Sequence, residues 1–373
     1  MKIIFLSFVF LGIIAASISV FFSKKSPDAV VKNTNTPKAE TSGTLTTTIT
    51  KGLDTPWAIA FIPNEVDFNM LVTERPGRIR IIDQDGKIIR TITVPGVKEI
   101  GEGGLLGIAV DPNYARNNYI YLYYTYGTSG NITLNKVVRA TLKNLKLLNQ
   151  KTLVDSIPGG KNHNGGRIVF GKDTYLYITT GDAENPSYAQ DKNSLAGKIL
   201  RIDANGKKAA TNPFDNLVLS FGHRNPQGIA WDKKNVLWST EHGRSIPISG
   251  LDELNMIRPG NNYGWPVIQG DEKKAGMQTP ILNSENNTWA PASLAISPDG
   301  AFYFGGLRGR ALYKYDPQGK KLTEYFKDTY GRIREVVLGP DNMLYITTSN
   351  NDGRGIPQQD DDKIIRINTA LLN

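Results

Sequence analysis

The sequence of 373 residues contains no cysteine and only three histidines. Without cysteine, a disulfide framework, a thiolate metal site and a cysteine nucleophile are all excluded. Runs with the apolar spacing of amphipathic helices are almost absent after the N-terminus, which argues against an all-α architecture. Glycine, proline and tyrosine are abundant instead, with 37, 20 and 16 residues. This composition favours an all-β protein with many turns.

The net charge of +9 is spread along the chain, and the basic residues form no single run. A nucleic-acid-binding protein would be expected to concentrate them in a patch or to carry a recognisable binding motif. We therefore predict no nucleic-acid partner. An anionic surface or an anionic small molecule remains compatible with the charge.

The N-terminus has the layout of an export signal or a single membrane anchor. Lys2 precedes an apolar stretch over residues 3–22, and Lys24 and Lys25 follow it. We predict a signal peptide or an N-terminal membrane anchor at residues 1–25, a flexible linker rich in polar residues at 26–43, and one folded domain at 44–373. The protein is then extracytoplasmic: secreted, periplasmic or anchored to the outer face of the cell membrane.

A strand followed by a tight turn recurs through the rest of the chain. The six occurrences each join a short apolar run to a turn, often Pro-Asp or Pro-Asn, and they are residues 58–64 (AIAFIPN), 107–113 (GIAVDPN), 167–173 (RIVFGKD), 228–234 (GIAWDKK), 293–299 (SLAISPD) and 335–341 (EVVLGPD). Each turn leads into a second β-rich run, and a third strand often follows, such as KILRID from Lys198. Such a unit of three or more strands, repeated six times along the chain, is typical of propeller blades.

The repeat predicts an all-β fold, a six-bladed β-propeller of four-stranded antiparallel blades. We expect residues 44–50 (TLTTTIT) and the last strand, from Lys363, to complete one blade from both ends of the domain. A β-sandwich with similar turns is the alternative. Six aligned strand-turn-strand phrases in succession favour the propeller.

Unusual polar residues cluster in loops that a propeller would bring to one end of its channel. His163 lies in KNHNGGR just before the third repeated strand, and Asp182 lies at the far end of the same hairpin. We expect the two side chains to face each other, because an aspartate that binds one imidazole nitrogen leaves the other free as a base. Asp182 could instead cap its own turn. Three histidines also suggest zinc, although no two have close ligand spacing.

Further loops place basic residues near the same end. GHRNPQG precedes the fourth repeated strand as KNHNGGR precedes the third, while Arg308 lies in GGLRGR, and Arg332 and Arg334 lie in GRIRE. Arginines that converge on one channel would repel each other unless an anion with several carboxylates or phosphates lay between them. We therefore expect a flat polycarboxylate ligand.

The segment from Glu241 to Tyr263 offers carboxylates and loop carbonyls. These hard oxygen ligands suit calcium, although nothing in the segment has EF-hand spacing. A solvated acidic loop is the alternative.

Several phrases together resemble the soluble quinoprotein glucose dehydrogenases and aldose sugar dehydrogenases. They are GLDTPWAIAF, VTERPGRI, GEGGLLGIAVDP, NHNGGRIVFG, SFGHRNPQGIAWD, ELNMIRPGNNYGWP and GRIREVVLGPDN, which occur in family order between about Leu53 and Ile367. The resemblance implies a six-bladed propeller that binds pyrroloquinoline quinone and calcium in the channel mouth.

The resemblance also assigns roles by position. It implies His163 as the catalytic base, Asp182 as its carboxylate and Arg224 as the group that stabilises the developing oxyanion. The remaining implied residues contact the cofactor or calcium: Glu102, Arg224, Asn225, Thr288, Arg308, Arg332 and Arg334 for the quinone, the carbonyls of Gly243 and Arg244 for its calcium, and Glu253 and Tyr263 for a second, structural calcium.

Two positions depart from the glucose-oxidising members of the family. Those family members carry glutamine at the position of Glu102 and lysine at the position of Arg308. A carboxylate beside an anionic cofactor costs binding free energy unless it is protonated or paired with an arginine. An arginine retains the charge of lysine but changes the geometry of its contacts.

The resemblance implies an oxidoreductase for aldose sugars. His163 would remove the anomeric hydroxyl proton while the C1 hydrogen passes as hydride to the quinone, and a lactone would result. The chain has no haem-attachment motif, so a separate electron acceptor is expected. The alternatives are a calcium-dependent lactonase on the same fold, or a quinone-free propeller that binds carbohydrate or protein.

Overall fold

The computed structural model describes residues 43–63, 68–129, 132–245 and 249–372. Within these ranges the strands form six four-stranded antiparallel sheets. The prediction of a six-bladed β-propeller is confirmed. The predicted export segment at 1–25 and all of the predicted linker except Gly43 lie outside the described residues.

Each blade is a meander in which consecutive strands pair. In chain order the strands are β1 (Thr46–Thr50), β2 (Pro56–Pro63), β3 (Phe68–Glu74), β4 (Arg78–Ile82), β5 (Ile88–Thr93), β6 (Leu105–Val110), β7 (Tyr119–Gly127), β8 (Thr133–Lys143), β9 (Lys146–Pro158), β10 (Ile168–Phe170), β11 (Leu176–Thr180), β12 (Lys198–Ile202), β13 (Val218–Phe221), β14 (Pro226–Trp231), β15 (Leu237–Glu241), β16 (Glu253–Ile257), β17 (Leu282–Asn283), β18 (Ala295–Ile296), β19 (Phe302–Gly305), β20 (Leu312–Asp316), β21 (Lys321–Tyr325), β22 (Ile333–Leu338), β23 (Leu344–Thr348) and β24 (Ile364–Ile367). The first blade is β2 to β5, and the next four blades take four strands each in sequence.

The sixth blade closes the ring. Its order is β1-β24-β23-β22, so its outermost strand comes from the start of the domain and its other three strands come from the end. Thr46 pairs with Ile367 and Thr48 with Ile365 in this antiparallel ladder. The predicted closure by both ends of the domain is therefore present without a disulfide.

An aspartate in the turn between the first two strands of several blades accepts hydrogen bonds from the second strand. Asp173 accepts a hydrogen bond from the backbone N–H of Tyr175, and its other oxygen accepts one from the Tyr177 hydroxyl at 2.8 Å. Asp341 contacts Met343 and Tyr345 in the same way. The turn residues predicted from the sequence thus also bind an aromatic side chain of the next strand, which accounts for the abundance of tyrosine there.

The burial of the strands identifies the centre of the ring. The second strands β11, β15 and β23 are buried along their whole length, whereas the fourth strands β5 and β21 are mostly accessible to solvent. The first strands of neighbouring blades contact one another, as β2 does with both β6 and β22. The first strands therefore surround the channel.

The helical segments among the described residues are single turns: α1 (Tyr114–Asn117), α2 (Ser187–Gln190) and a 3-10 turn at Thr369–Leu371. In the part of the chain that the structure describes, no helix has the length and apolar character that crossing a membrane requires. In an antiparallel blade, the loop before the first strand and the loop after the second strand lie at the same end. These are the loops that carry the candidate site.

Candidate functional site

A cavity of about 570 Å³ lies at the end of the channel where these loops meet. Loops of the second to sixth blades supply its wall, mostly from just before a first strand or just after a second strand, while Trp265 comes from the loop after β16. The lining residues include Glu102, His163, Asp182, Arg224, His242, Gly243, Arg244, Thr288, Leu307, Arg308, Arg332 and Arg354. Most of the site residues predicted from the sequence are therefore brought together.

The imidazole of His163 is held by Asp182 at one wall of the cavity. His163 Nδ1 lies 2.8 Å from Asp182 Oδ1, and Asp182 Oδ2 accepts a hydrogen bond from Trp265 Nε1 at 2.8 Å. Asp182 is fully buried, whereas the His163 side chain is 17% exposed toward the cavity. A carboxylate at Nδ1 leaves Nε2 as the nitrogen with a free lone pair.

The hairpin geometry explains how these two side chains meet. His163 adopts a left-handed backbone with φ of 57°, and a Cβ atom at Gly181 would collide with the His163 carbonyl. Glycine at 181 therefore allows the two strand ends to approach closely. Asp182 Oδ1 also accepts the backbone N–H of Glu184 at 2.9 Å, so the aspartate both binds the histidine and caps its own turn.

Glu102 is paired with an arginine that the sequence analysis did not select. Arg354 donates from Nη1 to Glu102 Oε1 and from Nη2 to Asn162 Oδ1, the latter at 2.7 Å. Glu102 Oε2 accepts the backbone N–H of His163 at 3.2 Å. Burial alone would raise the pKa of Glu102, but surrounding positive charge, including that of Arg354, lowers it to about 2. The Glu102 carboxylate is thus ionised, and Arg354 compensates its charge. Pairing with an arginine is the condition under which a carboxylate can lie beside an anionic ligand.

The arginines differ in how their charges are balanced. Arg332 donates from Nε and Nη2 to Asp352 Oδ2, at 3.0 and 2.7 Å. A buried carboxylate therefore compensates Arg332 within the protein, so the charge of this residue does not by itself require an anionic ligand. Arg308 lines the cavity and donates to the Ser249 hydroxyl at 2.9 Å, a neutral partner.

Arg334 and Asn225 lie behind the cavity wall. Arg334 Nη1 donates to Gln227 Oε1 at 2.5 Å, and its guanidinium lies over the Trp57 ring at 5.8 Å. Burial lowers the pKa of Arg334 to about 9. The pairing of β22 with β23 shifts register between Ile333 and Glu335, so the simple alternation that predicted Arg332 and Arg334 on one face is interrupted there.

Arg224 contacts the end of β15 and the loop that follows this strand. Its backbone N–H donates to Glu241, its Nη2 donates to Ser245 Oγ at 3.0 Å, and its guanidinium lies 5.3 Å from the Trp265 ring centre. Its Nε atom is buried without a partner among the described residues. Burial lowers the pKa of Arg224, although nearby carboxylates oppose that shift.

Two other polar atoms at this wall also lack a protein partner within the described ranges: His242 Nε2 and Arg244 Nε. Burial lowers the pKa of His242 to about 3, so its imidazole is neutral. Buried polar atoms without partners cost free energy unless a ligand satisfies them. Together with Arg308 and Thr288, they suit a flat ligand that carries carboxylate and carbonyl oxygens.

Oxygen atoms gather beside this cavity, next to the loop of Gly243 and Arg244. Asp252 accepts the Gly243 N–H at 2.8 Å and the backbone N–H groups of Trp289 and Ala290. An adjoining small void is lined by Glu241, Glu253, Tyr263 and Gln269, and Gln269 Oε1 is buried without a partner in the described structure.

Glu253 and Tyr263 both line this void, but they would offer different oxygen atoms to a cation. Burial raises the pKa of Glu253 to about 8, and the neighbouring Glu241 carboxylate adds to the shift. The Tyr263 hydroxyl donates to the Met256 carbonyl and accepts the Arg258 N–H, so only its main-chain oxygen would be available to a cation. Over residues 43–63, 68–129, 132–245 and 249–372, no three His, Asp or Glu side chains are grouped as a metal site.

His223 has a structural setting instead of a place in the cavity. Its Nδ1 binds Glu241 Oε2 and its Nε2 binds Ser220 Oγ, both at 2.9 Å, and its ring stacks on Tyr263. The three histidines therefore do not converge on one point, which argues against the zinc interpretation.

Sequence reasoning missed Arg354, Trp265 and the cavity role of His242. Arg354 lies in NDGRGIPQQ, a segment outside the phrases that carry the family resemblance, and its partner Glu102 is 252 residues away. Trp265 could have been selected, because it lies in the matched phrase NNYGWP and indole N–H groups usually find an acceptor when buried.

The model of the family described as Glucose / Sorbosone dehydrogenase matches residues 53–365. The solved structure of the PQQ-bound form of aldose sugar dehydrogenase from Streptomyces coelicolor is 38% identical, with a TM-score of 0.78 over 86% of this chain and 96% of that chain. Aldose sugar dehydrogenase YliI of Escherichia coli is 31% identical over 81% of this chain and 89% of its own length. Quinoprotein glucose dehydrogenase B of Acinetobacter calcoaceticus is 31% identical over 61% of this chain and 53% of its length.

Proposed function

The chain belongs to the glucose/sorbosone dehydrogenase family, and from this premise we propose that it oxidises the anomeric C1 hydroxyl of aldose sugars to lactones with pyrroloquinoline quinone and calcium. The observation that carries the proposal is the position of the His163–Asp182 pair in the arginine-lined cavity. The likeness to a PQQ-bound aldose sugar dehydrogenase supports the same cofactor.

The cavity residues suit this cofactor. Arg224, Arg308 and Arg332 would hold its carboxylates, with Thr288 beside them, while Asn225 and Arg334 would support the wall from behind. When bound, the quinone supplies a two-electron acceptor that no side chain of this sequence provides.

Residues of the chain would remove the proton of the sugar and stabilise the charge that develops on it. Asp182 orients the imidazole of His163 so that Nε2 takes the proton of the anomeric hydroxyl. Arg224 stabilises the negative charge that develops on that oxygen. A cyclic aldose that loses this proton and the C1 hydride becomes a lactone. Electrons then leave to a separate acceptor, since no haem-attachment motif is present in the sequence.

The test is a titration of the apo-protein with pyrroloquinoline quinone and calcium, followed by absorbance. We expect a saturable spectral change at one equivalent, then bleaching on addition of an aldose and reduction of an added dye. A cofactor that produces no spectral change would overturn the proposal. Hydrolysis of an added lactone without cofactor would favour a lactonase, and binding of glycans alone would favour a quinone-free propeller.

We further propose calcium at two places. The main-chain oxygens of Gly243 and Arg244 would hold one ion against the cofactor, and Glu253 and Tyr263 would hold another at the small void. The oxygen atoms around this void, which include the unpartnered Gln269 Oε1 and the carboxyl groups of Glu241 and Glu253, support a cation there.

The second site predicts a pH-dependent effect of calcium on stability. The pKa of Glu253 in the folded protein is raised from 4.5 to about 8, so without calcium the folded state loses stability as the pH rises from the lower value to the higher one, and the loss levels off above it. Calcium needs the deprotonated carboxylate, so its stabilising effect should grow as the pH rises through about 8. Thermal unfolding with calcium or with a chelator, below and above this pH, measures the difference.

Glu253→Gln is the informative variant, because it preserves the shape of the protonated side chain and removes the charge. We expect it to abolish most of the pH-dependent part of the calcium effect. An equal calcium effect in the variant and the unmodified protein at high pH would refute the assignment. The first ion, at Gly243 and Arg244, uses main-chain oxygens and should be insensitive to this substitution.

The expected site of action is outside the cytoplasm. This inference rests on the N-terminal sequence, which supports either a cleaved signal or an anchor.

A further inference from the structure

The indole of Trp265 contacts two groups of the candidate site with different parts of its ring. Its Nε1 donates to Asp182 Oδ2 at 2.8 Å, and the Arg224 guanidinium lies 5.3 Å from the centre of the ring. These two partners are themselves joined by a hydrogen bond from the Asp182 N–H to the Arg224 carbonyl at 2.7 Å. In the proposed function Asp182 orients the base and Arg224 stabilises the developing oxyanion. A side chain without a role in that chemistry thus contacts both groups.

The main chain on either side of the indole is attached to the cavity wall. The Trp265 N–H donates to the Gly222 carbonyl at 2.9 Å, and the Trp265 carbonyl accepts a hydrogen bond from Gln190 Nε2 at 2.6 Å. The side chains of Gln190 and Asn262 also exchange two hydrogen bonds, at 2.8 and 3.1 Å. The indole N–H is therefore directed at its acceptor with little remaining conformational freedom.

The Asp182 carboxylate is fully buried, so its charge depends on the groups that donate to it. Its Oδ1 faces His163 Nδ1 and accepts the Glu184 N–H at 2.9 Å. Among the described residues, the Trp265 indole is the donor to Oδ2. A hydrogen bond to the ionised form of a carboxylate favours that form. Without the indole N–H, Oδ2 would be buried with no partner, and the carboxylate would take up a proton or rotate.

Either change at Asp182 would disturb the base. An ionised Asp182 accepts a hydrogen bond from His163 Nδ1–H, which keeps the free lone pair on Nε2, where the proposed function needs it. A protonated Asp182 can donate to Nδ1 instead, and the imidazole hydrogen would then lie on Nε2. The protonation state of Asp182 therefore decides which nitrogen is available as a base.

Other titratable groups face His163, but within the described parts of the chain none of them is hydrogen-bonded to Trp265. They are Glu102, which accepts the His163 main-chain N–H and is compensated by Arg354, and Glu184 and His242, which interact electrostatically with the imidazole. An effect of Trp265 on the imidazole must therefore pass through Asp182.

We propose that Trp265 is a positioning residue for the base. Its indole N–H keeps Asp182 ionised and aligned with His163 Nδ1, so that Nε2 stays free to take the proton of the sugar hydroxyl. The inference rests on the proposed function for the identity of the base. It adds to that function a residue to which the sequence analysis gave no role.

Two substitutions of Trp265 separate the hydrogen bond from the packing of the ring. Trp265→Phe keeps an aromatic face beside Arg224 and removes the donor. In Trp265→His a donor is retained, because imidazole Nε2 occupies the same place in a five-membered ring as indole Nε1. In the holoenzyme we expect Trp265→Phe to lower kcat by about 10–100-fold, the loss that a misplaced reacting group produces, with KM within a few-fold of the unmodified value. Trp265→His should keep a higher kcat than Trp265→Phe.

Trp238→Phe is the matched control. Trp238 Nε1 donates to Asp232 Oδ2 at 3.2 Å, so this pair is also an indole bound to an aspartate. It lies at the turn between β14 and β15, at the end of the blade opposite to the cavity. We expect kcat and KM of this variant to match those of the unmodified protein, and thermal unfolding shows whether each variant is folded. An unchanged kcat in Trp265→Phe, or a kcat of Trp265→His no higher than that of Trp265→Phe, would overturn the proposal.

Nitrogen NMR of apo-protein labelled in its histidine rings separates this inference from the oxidation, because it needs neither quinone nor sugar. The sequence has only three histidines, so the signals of His163 are identified by their absence in His163→Asn. At a pH where the imidazole is neutral, the unmodified protein should carry the ring hydrogen on Nδ1. Trp265→Phe should show a substantial population with the hydrogen on Nε2.

The outcomes of the NMR experiment decide the proposal whether or not aldoses are oxidised. A spectrum that changes as expected in Trp265→Phe would support the positioning role even if the proposed oxidation failed. Hydrogen on Nε2 in the unmodified protein, or an identical His163 spectrum in Trp265→Phe, would overturn it. A loss of kcat with an unchanged spectrum would assign the effect to Arg224 and would also overturn the role through Asp182.

Discussion

Replacing His163 with asparagine should lower the rate of aldose oxidation by about 10²–10⁴-fold, the usual contribution of a positioned general base. Asparagine cannot act as a base near neutral pH. It also tolerates the left-handed backbone at this position, where φ is 57°. The expected loss is therefore one of chemistry rather than of folding. Single-turnover reduction of the protein reconstituted with quinone and calcium would measure it directly.

The control is binding of the quinone by the same variant, because the arginines that would hold the cofactor are unchanged. We expect the absorbance titration to give an affinity within a few-fold of that of the unmodified protein. A variant that bound the cofactor normally and kept more than about a tenth of the rate would show that His163 is not the base.

Replacing Arg167 with methionine should destabilise the propeller by about 3–5 kcal/mol, the usual effect of removing one partner of a buried ion pair. Arg167 Nη1 lies 2.5 Å from Glu335 Oε2, and both side chains are almost completely buried. Its Nε donates to the Gln227 carbonyl at 3.0 Å, and its guanidinium lies over the Trp57 ring. Methionine would leave the Glu335 carboxylate buried with a hydrogen bond from Ser293 Oγ but without its charged partner.

Denaturant unfolding followed by tryptophan fluorescence measures this loss. Lys51→Met is the matched control, because Lys51 forms an ion pair with Asp360 in which both side chains are about half exposed. The control should change the free energy of unfolding by less than about 1 kcal/mol. Equal effects of the two substitutions would mean that the Arg167–Glu335 pair is not a major stabilising element of the channel.

The fold was predictable because its signals are local. Strand alternation and turn residues repeat within each blade, and the aspartates of those turns act on residues only a few positions away, as Asp341 does on Tyr345. The closure by β1 and β24 was also predictable, since an otherwise incomplete sixth blade needed one more strand. Each of these inferences uses short-range patterns that survive in a single sequence.

The site was predictable only in part, for the same physical reason. His163 and Asp182 end adjacent strands of one hairpin, so their contact follows from the repeat. Arg354 and Glu102 come from distant blades, and only the closed ring brings them together. Arg334 lies beside a register shift in the pairing of β22 with β23, and no pattern in the sequence predicts that shift.

The pairing of β1 with β24 also constrains when the protein can finish folding. Thr46 and Ile367 are more than 300 residues apart, and joining such distant segments costs about 5 kcal/mol in loop-closure entropy. Strands β22 to β24 are synthesised after the other five blades, so a growing chain holds five potential blades and an unpaired β1 until β24 emerges. Arg332 and Arg354 belong to that last blade. The binding cavity is consequently assembled at the final step, and a chain shortened by its last strand would lose ligand binding and ring closure together.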